Sequence, residues 1–525
     1  MAHSIFTVLG SGASSGVPWL ACSLAPRGGA TAPAPGCGCG DAEVVVGVPA
    51  FCCPVCADAA DNPLGPNKRG NVSCVARIAR PDGCDTLFNV VVDCGKTFRD
   101  TVARVWPRLS PPLRRIDALL LTHAHADAVF GLDCLREVAP DAPVHVYCHS
   151  PTMERLKTIY SYLMPKEQSG ASPITYVAEL VFHVITPWEP FELEGSGGII
   201  VTPIPVEHSG RFGSPEYDDD DSCLAFEFGA VRAANAVTPT AVTLQPDVRG
   251  LPTLPPWEAS DRVVWLSDVR ALSAEARAYF AARATTLLCI DALGLREYPT
   301  HFGFGQALAA AVDLIGPGSA TAARAVGDRP RVRLVGINHE VDHTAEQSAL
   351  ASWAHRARVR VRRADANRDP VTWASGVDDG AATEAEHSAT SPLSLDVAIA
   401  HDGSTDRLRL NAPYASVAVL AAEVAAVRAA ARALAAADVR DYSAVQRDRE
   451  KAARARRGGG AGAWDAAPPA AREFDSTEDA RDAVPSMRWR EDYLASRPNC
   501  FRRYAESASE AVRTGWTSGR RERNG

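Results

Sequence analysis

Along residues 1–411 the apolar positions fall into two alternating periods. Compact runs rich in branched residues end at Asp, Thr, Ser or Gly: Thr86-Leu-Phe-Asn-Val-Val-Val-Asp93, Ile116-Asp-Ala-Leu-Leu-Leu-Thr122, Arg262-Val-Val-Trp-Leu-Ser267 and Arg331-Val-Arg-Leu-Val335. Such runs read as strands buried on both faces. Between them, helical spacing recurs near 96–107, 150–163, 270–282, 304–314 and 344–356. Strand–helix alternation predicts an α/β layered domain. Stretches without apolar spacing read as surface insertions, near 27–51, 213–257 and 364–392; they include the acidic run Glu216–Asp221, read as a solvated loop.

Past residue 411 the pattern changes. Val417, Leu420, Val424, Val427, Ala431 and Leu434 step by three and four, which puts them on one helix face, read first as a face packed on the main domain or a neighbour. A basic run, Arg447–Arg457, and a Gly/Ala/Pro stretch near 458–471 follow. Residues 412–525 hold 20 Lys/Arg and 16 Asp/Glu, whereas residues 1–411 hold 35 and 47. The expectation is a domain over 1–411 and an Ala/Arg-rich extension over 412–525, helical or disordered, in which no chemistry is legible.

The whole chain has 525 residues and a formal net charge of −8, so nucleic-acid binding is not indicated. No apolar run of membrane-spanning length and no secretory leader stands out, which leads to an expectation of a cytoplasmic protein, with the nucleus as the alternative. Cys22, Cys37, Cys39, Cys52, Cys53 and Cys56 crowd into 35 residues. Clustered thiols in a reducing compartment read as metal ligands.

The strongest chemical signal is Thr122-His123-Ala-His125-Ala-Asp127, placed directly after an apolar strand. Imidazoles and a carboxylate at a strand's carboxyl end are a ligand set for Zn²⁺ or a similar ion. Later strands also run into polar residues: Glu207-His208, Ser267-Asp268, Asp291 and Asn338-His339-Glu340. Cys53-Pro-Val-Cys56 has the spacing with which two thiolates grip one Zn²⁺. A redox pair or simple buried thiols are the competing readings. Cys94, Cys223 and Cys289 lie in apolar runs and read as core. Gly10-x-Gly12-x-x-x-Gly16 departs from dinucleotide-loop spacing and runs into Pro18 rather than a helix.

The order of His-x-His-x-Asp, His208 and Ser267-Asp268 resembles the metallo-β-lactamase-fold hydrolases. Gly10-Ser-Gly-Ala-Ser-Ser-Gly-Val17-Pro18, Cys53-Pro-Val-Cys56 and Asp93-Cys-Gly95-Lys narrow the resemblance to the cyclic-phosphate phosphodiesterase branch and its eukaryotic relatives. It covers roughly residues 4–411. The fold it implies is the αββα sandwich with a metal site at one sheet edge. It implies His123, His125 and His208 on one metal, Asp268 bridging or completing the site, and Asp127 serving a second metal.

Two departures bear on that second metal. The usual motif ends in a further histidine where this chain has Ala128, and a histidine three residues before His339 is replaced by Gly336. Neither residue can coordinate, so one catalytic ion is expected. Mn²⁺ or Mg²⁺ would suit a weak second one held by oxygen ligands, with Asp133 or His343 as substitute ligands. The resemblance also implies a structural Zn²⁺ on Cys22, Cys53, Cys56 and His339, with Cys37, Cys39 and Cys52 as nearby alternatives for the first position.

The activity so implied is a metal-dependent hydrolase, a phosphodiesterase using a zinc-bound hydroxide on a small or cyclic phosphodiester. His301 would donate a proton to the leaving alkoxide, and Asp268 or Asp127 would orient the water. Lys96 and Arg99 are candidates to meet phosphate, and Asp93 and Asp291 to hold ligands or loops by hydrogen bonds. A thioesterase or lactonase of the same fold, and a non-catalytic metal-binding scaffold, are the alternatives. The expected partner is a small-molecule phosphodiester, not a membrane, and a homodimer is a candidate assembly.

Overall fold

The structure is a computed structural model. It describes residues 3–24, 53–138, 143–164, 178–208, 222–232, 245–246, 252–253, 260–295, 298–315, 330–356, 360–361, 396–414 and 416–437. Most of the expected insertions, Cys37, Cys39, Cys52, the basic run and the rest of the extension lie outside these residues; the expected insertion 213–257 is corrected at Ser222–Arg232, a strand of the second sheet whose Leu224, Phe226 and Phe228 are buried.

Among the described residues the strands form two large sheets. The first runs in the order Thr405–Leu408, Ser4–Gly10, Ser73–Ala79, Leu87–Val92, Ala118–Leu120, Val144–His149 and Leu180–Ile185. Its pairings are antiparallel as far as Leu87–Val92 and parallel beyond it. The second runs Arg360–Val361, Asp396–Ile399, Arg331–Val335, Leu287–Asp291, Val263–Leu266, Ser222–Arg232, Ile199–Glu207 and Phe191–Glu192. Here the parallel strands come first, and the last three pairings are antiparallel.

The burial pattern explains the layering. Phe6, Val8, Val90 and Val92 of the first sheet meet Phe226, Trp265, Leu287 and Cys289 of the second in one apolar layer. The alternate residues, Val75, Val91, Leu119 and Val146, face Phe98, Val105, Met153 and Leu156 on the outer helices of the first sheet. Val264, Leu288, Ile290 and Leu334 likewise face the helices Ala274–Ala281 and Phe304–Ile315. Because these strands bury both faces, they read as continuous apolar runs rather than as alternation. The result is the αββα sandwich implied by the sequence resemblance. Cys94, Cys223 and Cys289 are buried, as expected. Among the described residues no helix is long and apolar enough to cross a membrane.

The expected boundary at 411 falls inside this architecture. Ala412–Tyr414 adds to Ser222–Arg232 as a parallel strand, and the helix Val417–Ala437 lies on the outer face of the second sheet. Of the expected stripe, Leu420, Val424 and Val427 are fully buried against it, Ala431 is buried, Val417 packs there partly buried, and the Leu434 side chain lies outside the described residues. A buried ion network fixes the helix: Glu423 pairs with Arg283, which also reaches Glu227 at 3.2 Å, and Glu227 pairs with Arg262. Composition places 412–437 with the extension because alanine dominates it; long-range packing places it with the sandwich. Truncating Leu420 to alanine is expected to cost ~2–5 kcal/mol of unfolding free energy, as large-to-small core changes do, measured by urea or thermal unfolding.

Candidate metal centre

Each proposed ligand stands just past a strand, at one edge of the two sheets. Ala118–Leu120 leads to His123 and His125, Ile199–Glu207 to His208 and Val263–Leu266 to Asp268; Leu287–Asp291 ends on Asp291, the residue expected to hold ligands or loops by hydrogen bonds. Parallel strands carry their carboxyl ends to the same edge, where loops converge. Asp127 lies on the one-turn helix Ala126–Val129, which opens directly after His125.

The three imidazoles meet. Their ring centroids are 4.5 Å apart for His123–His125, 5.0 Å for His123–His208 and 5.2 Å for His125–His208. His208 Nε2 and His125 Nδ1 stand 3.3 Å apart. Two nitrogens on one tetrahedral zinc, each at ~2.0–2.1 Å, are also about 3.3 Å apart. His208 and Asp268 form a second group with His301, so His208 belongs to both. His123, His208 and Asp268 are buried, whereas His125 is exposed, so the cluster opens to solvent on one side.

Neighbouring groups choose which nitrogen faces inward. The His208 Nδ1–H donates to the Thr300 carbonyl at 2.9 Å, leaving Nε2 with its lone pair. The Asp93 carboxylate accepts from Thr122 N at 2.9 Å and from its hydroxyl at 2.8 Å. The Thr122 oxygen lies 2.8 Å from His123 Nδ1 and can accept its proton, which assigns the lone pair to His123 Nε2. That Nε2 is buried without a partner, and so is Asp268 Oδ2. Orphaned buried acceptors beside the histidine cluster are what a divalent cation would satisfy. Burial holds His123 neutral, lowering its pKa to about 3, and also lowers that of His208. Burial opposes the Asp268 charge, but His208 and His123 outweigh it and keep its carboxyl below the usual range. The donor set therefore fits a divalent ion.

His301 is positioned by Asp291, whose carboxylate accepts from Nδ1 at 2.7 Å and from Val269 N at 2.9 Å. Asp268 is farther, at 3.8 Å, and the His208 ring centroid lies 4.7 Å from that of His301. Burial opposes charge on both partners of the His301–Asp291 pair. The short contact favours the imidazolium–carboxylate form, pushing His301 up to about 9, while burial takes Asp291 up to about 7.

Asp127 is buried near Asp268 but joins none of the groups close enough to share an ion. Burial, followed by the Asp268 charge, raises its pKa. The replaced ligand positions are filled by the fold. Ala128 packs in the apolar layer beneath the outer helices. Gly336 has φ +75°, and a Cβ there would lie 2.6 Å from Asp291 Oδ1. The carboxylate that holds His301 thus occupies the space a side chain at 336 would need.

Other candidates stand elsewhere. Asp133 is tied to Arg136 at 2.9 Å and to the Tyr162 hydroxyl at 3.1 Å, and His343 is buried against the Ile399 carbonyl. Neither joins the centre as a substitute ligand. Arg99 is exposed and paired with Glu137 at 3.1 Å. Lys96 is exposed, and its charge acts on Asp127. Thr122 and the Thr300 carbonyl had no place in the sequence reading: a threonine after a strand reads as a cap, and a backbone acceptor leaves no signature.

A second cluster lies at the short helix Leu20–Leu24 near the N-terminus. Cys22, Cys53, Cys56 and His339 place one potential ligand atom each within 4.8 Å of one another, and the three thiols are buried. His339 Nδ1 is 3.5 Å from Cys22 Sγ and 3.7 Å from Cys53 Sγ. A tetrahedron with zinc–sulfur of ~2.3 Å and zinc–nitrogen of ~2.0–2.1 Å has a sulfur–nitrogen edge of about 3.6 Å. Cys53 caps the helix Pro54–Asp61, accepting from Cys56 N at 3.3 Å, and Trp19 N donates to Cys56 Sγ at 3.3 Å. Hydrogen bonds from Cys22 and Cys56 hold the Cys53 thiol far below its ordinary range.

Residues 88–241 match the family model of the Beta-lactamase superfamily domain. This span contains His123, His125, Asp127 and His208. An octanoyltransferase of Porphyromonas gingivalis is 26% identical over 124 residues, 24% of this chain and 22% of that protein. The chain thus spans less than a quarter of that relative's length. Similar solved structures include a diphosphatase from the PhnP family, 18% identical with a TM-score of 0.42, covering 77% of this chain and 97% of that one. Zn²⁺-bound PqqB from Methylobacterium extorquens is 15% identical with a TM-score of 0.39, covering 77% and 99%. YhfI from Bacillus subtilis, a metallo-β-lactamase fold protein, is 11% identical with a TM-score of 0.39, covering 77% and 100%.

Proposed function

We propose that this chain is a metal-dependent hydrolase of metallo-β-lactamase fold, a phosphodiesterase acting on a small or cyclic phosphodiester; the match of residues 88–241 to the Beta-lactamase superfamily domain and the two-sheet sandwich support the reading. The observation that carries the metal-dependent part is the convergence of His123, His125 and His208 beside the unpartnered Asp268 Oδ2. These four residues would hold the ion, and Zn²⁺ suits their nitrogen-rich set. When bound, such an ion polarises a phosphoryl oxygen and makes water a nucleophile near neutral pH.

The remaining roles fall to the protein. Asp268 faces the cluster and can orient water by hydrogen bonding, while Asp127, farther off, biases the charge around it. His301 is the general acid. Asp291 fixes its ring through Nδ1, which leaves Nε2 as the atom to pass a proton to a leaving alkoxide. A phosphodiester, with its poor alkoxide leaving group and its anionic phosphoryl oxygens, uses both a cation and an acid. The sequence likeness at Gly10–Pro18 and Asp93–Lys96 to the cyclic-phosphate branch supports the same substrate class. The filled space beside Gly336 and the core position of Ala128 favour a single catalytic ion.

Assay of the zinc-loaded chain against cyclic and aryl phosphodiesters, thioesters and lactones tests the reading. Turnover confined to thioesters or lactones would replace it. His301→Gln is expected to lower kcat on an alkyl phosphodiester by ~10²–10⁴-fold, the usual contribution of general acid–base catalysis. Its metal content should be unchanged, and the loss should shrink on an aryl ester whose leaving group needs no proton. A drop in bound metal would make His301 a ligand instead.

A further inference from the structure

An electropositive cleft lies on the outer face of the first sheet, and none of the metal-centre residues lines it. Ile5 pairs with Arg77 on one side and with Arg407 on the other. Directly opposed residues of neighbouring strands point to the same face, so two guanidinium groups flank Ile5 in one row. Arg108, from the turn after the helix Phe98–Val105, joins them, and Leu109 and Asp402 help to line a volume of ≈ 40 Å³. A water needs ~10–15 Å³ by this measure, so the cleft has room for about three waters or one group the size of a phosphate.

Its positive charge is only partly offset locally, by the Asp402 charge acting on Arg108. Asp402 is the carboxylate in the lining, and it is committed elsewhere: it accepts from Ser11 N at 2.7 Å, Ser11 Oγ at 2.8 Å, Gly70 N at 2.8 Å and Arg104 at 2.6 Å. Arg77 donates to the carbonyls of Ser110 and Pro111, its Nε is buried without a partner, and burial pushes its pKa down to about 10. Arg108 donates through Nε to the Arg104 carbonyl at 2.8 Å, and burial followed by the Arg104 charge lowers its pKa. Among the described residues neither Arg77, Arg108 nor Arg407 makes an ion pair. Arg108 and Arg407 are exposed, so the cleft communicates with solvent.

We propose that this cleft binds the phosphate group of a small phosphomonoester, with the rest of the ligand projecting into solvent. Guanidinium forks match phosphate oxygens in geometry. A dianion offsets more of the charge of three arginines than a single carboxylate would. The inference does not depend on how the metal centre is read.

Thermal unfolding of the metal-loaded full chain tests it, with inorganic phosphate, acetate or sodium chloride added at equal ionic strength. The expected result is an upward shift specific to phosphate, kept in His208→Ala. In the double variant Arg108→Ala/Arg407→Ala, both positions exposed, the phosphate concentration needed for the same shift should rise at least tenfold. A shift lost in His208→Ala but kept in the arginine double variant would place the phosphate at the metal centre and overturn the proposal. So would an equal shift with acetate, or one no larger than that with chloride.

Discussion

The double variant His123→Ala/His208→Ala is expected to emerge without its catalytic ion and without measurable phosphodiester turnover, while remaining folded. Each imidazole contributes one inward nitrogen, His123 Nε2 and His208 Nε2, and their removal leaves only His125 and Asp268. Losing a residue that merely orients a ligand typically costs ~10–100-fold in metal affinity or activity, so deleting two ligands should exceed that in both readouts. Stability should hold or rise slightly in the metal-free state, because two desolvated imidazoles, one of them with an orphaned nitrogen, are replaced by methyl groups. Elemental analysis should show one ion fewer per chain than in the parent. A variant that keeps the full metal complement would sink the histidine centre, and one that loses the ion yet keeps turnover would separate the metal from the chemistry.

Much of this centre was legible in the sequence because its ligands sit at strand ends, where a change from apolar to polar marks the sheet edge. The strand expected within 262–267 is Val263–Leu266, the one expected at 331–335 is Arg331–Val335, and the helix expected near 304–314 is Phe304–Ile315. These elements are buried on both faces or along a clear stripe, so local pattern and final packing agree. What stayed hidden depends on partners far away in the chain. Ala412–Tyr414 is three residues long and contains Pro413, and only its register against Ser222–Arg232 makes it a strand. Arg69 would pass for a surface residue, yet it is fully buried, donating to the Asn338 and Val341 carbonyls at 2.8 and 2.9 Å. It braces the segment that carries His339. The Asp291–His301 bond was equally invisible, since the nine residues between the two say nothing about which of Asp291 and Asp268 the imidazole meets.

Replacing Cys53 and Cys56 by serine is expected to remove a different ion and to destabilise rather than silence the protein. The cluster joins the short helix Leu20–Leu24 at Cys22, the helix Pro54–Asp61 and the loop after Arg331–Val335 at His339, segments distant in sequence. Structural zinc is worth ~10–16 kcal/mol in isolated zinc-finger peptides. Here the two large cores do not depend on it, so the fall should be a clear drop in melting temperature rather than loss of the fold. Cys53 does two jobs, and serine separates them. A serine hydroxyl can still cap the helix by accepting from residue 56 N, as Cys53 Sγ does, but it is a poor zinc ligand. Cys53→Ser should therefore lose metal as fully as Cys53→Ala while being more stable by about 1 kcal/mol, the typical worth of an N-cap. Metal analysis of the double serine variant should find the histidine centre still loaded, with turnover at temperatures well below its melting point close to that of the parent. Retention of the full metal complement by that variant would leave the four residues as an ordinary buried thiol cluster, and the contact of Cys22 with His339 as packing alone.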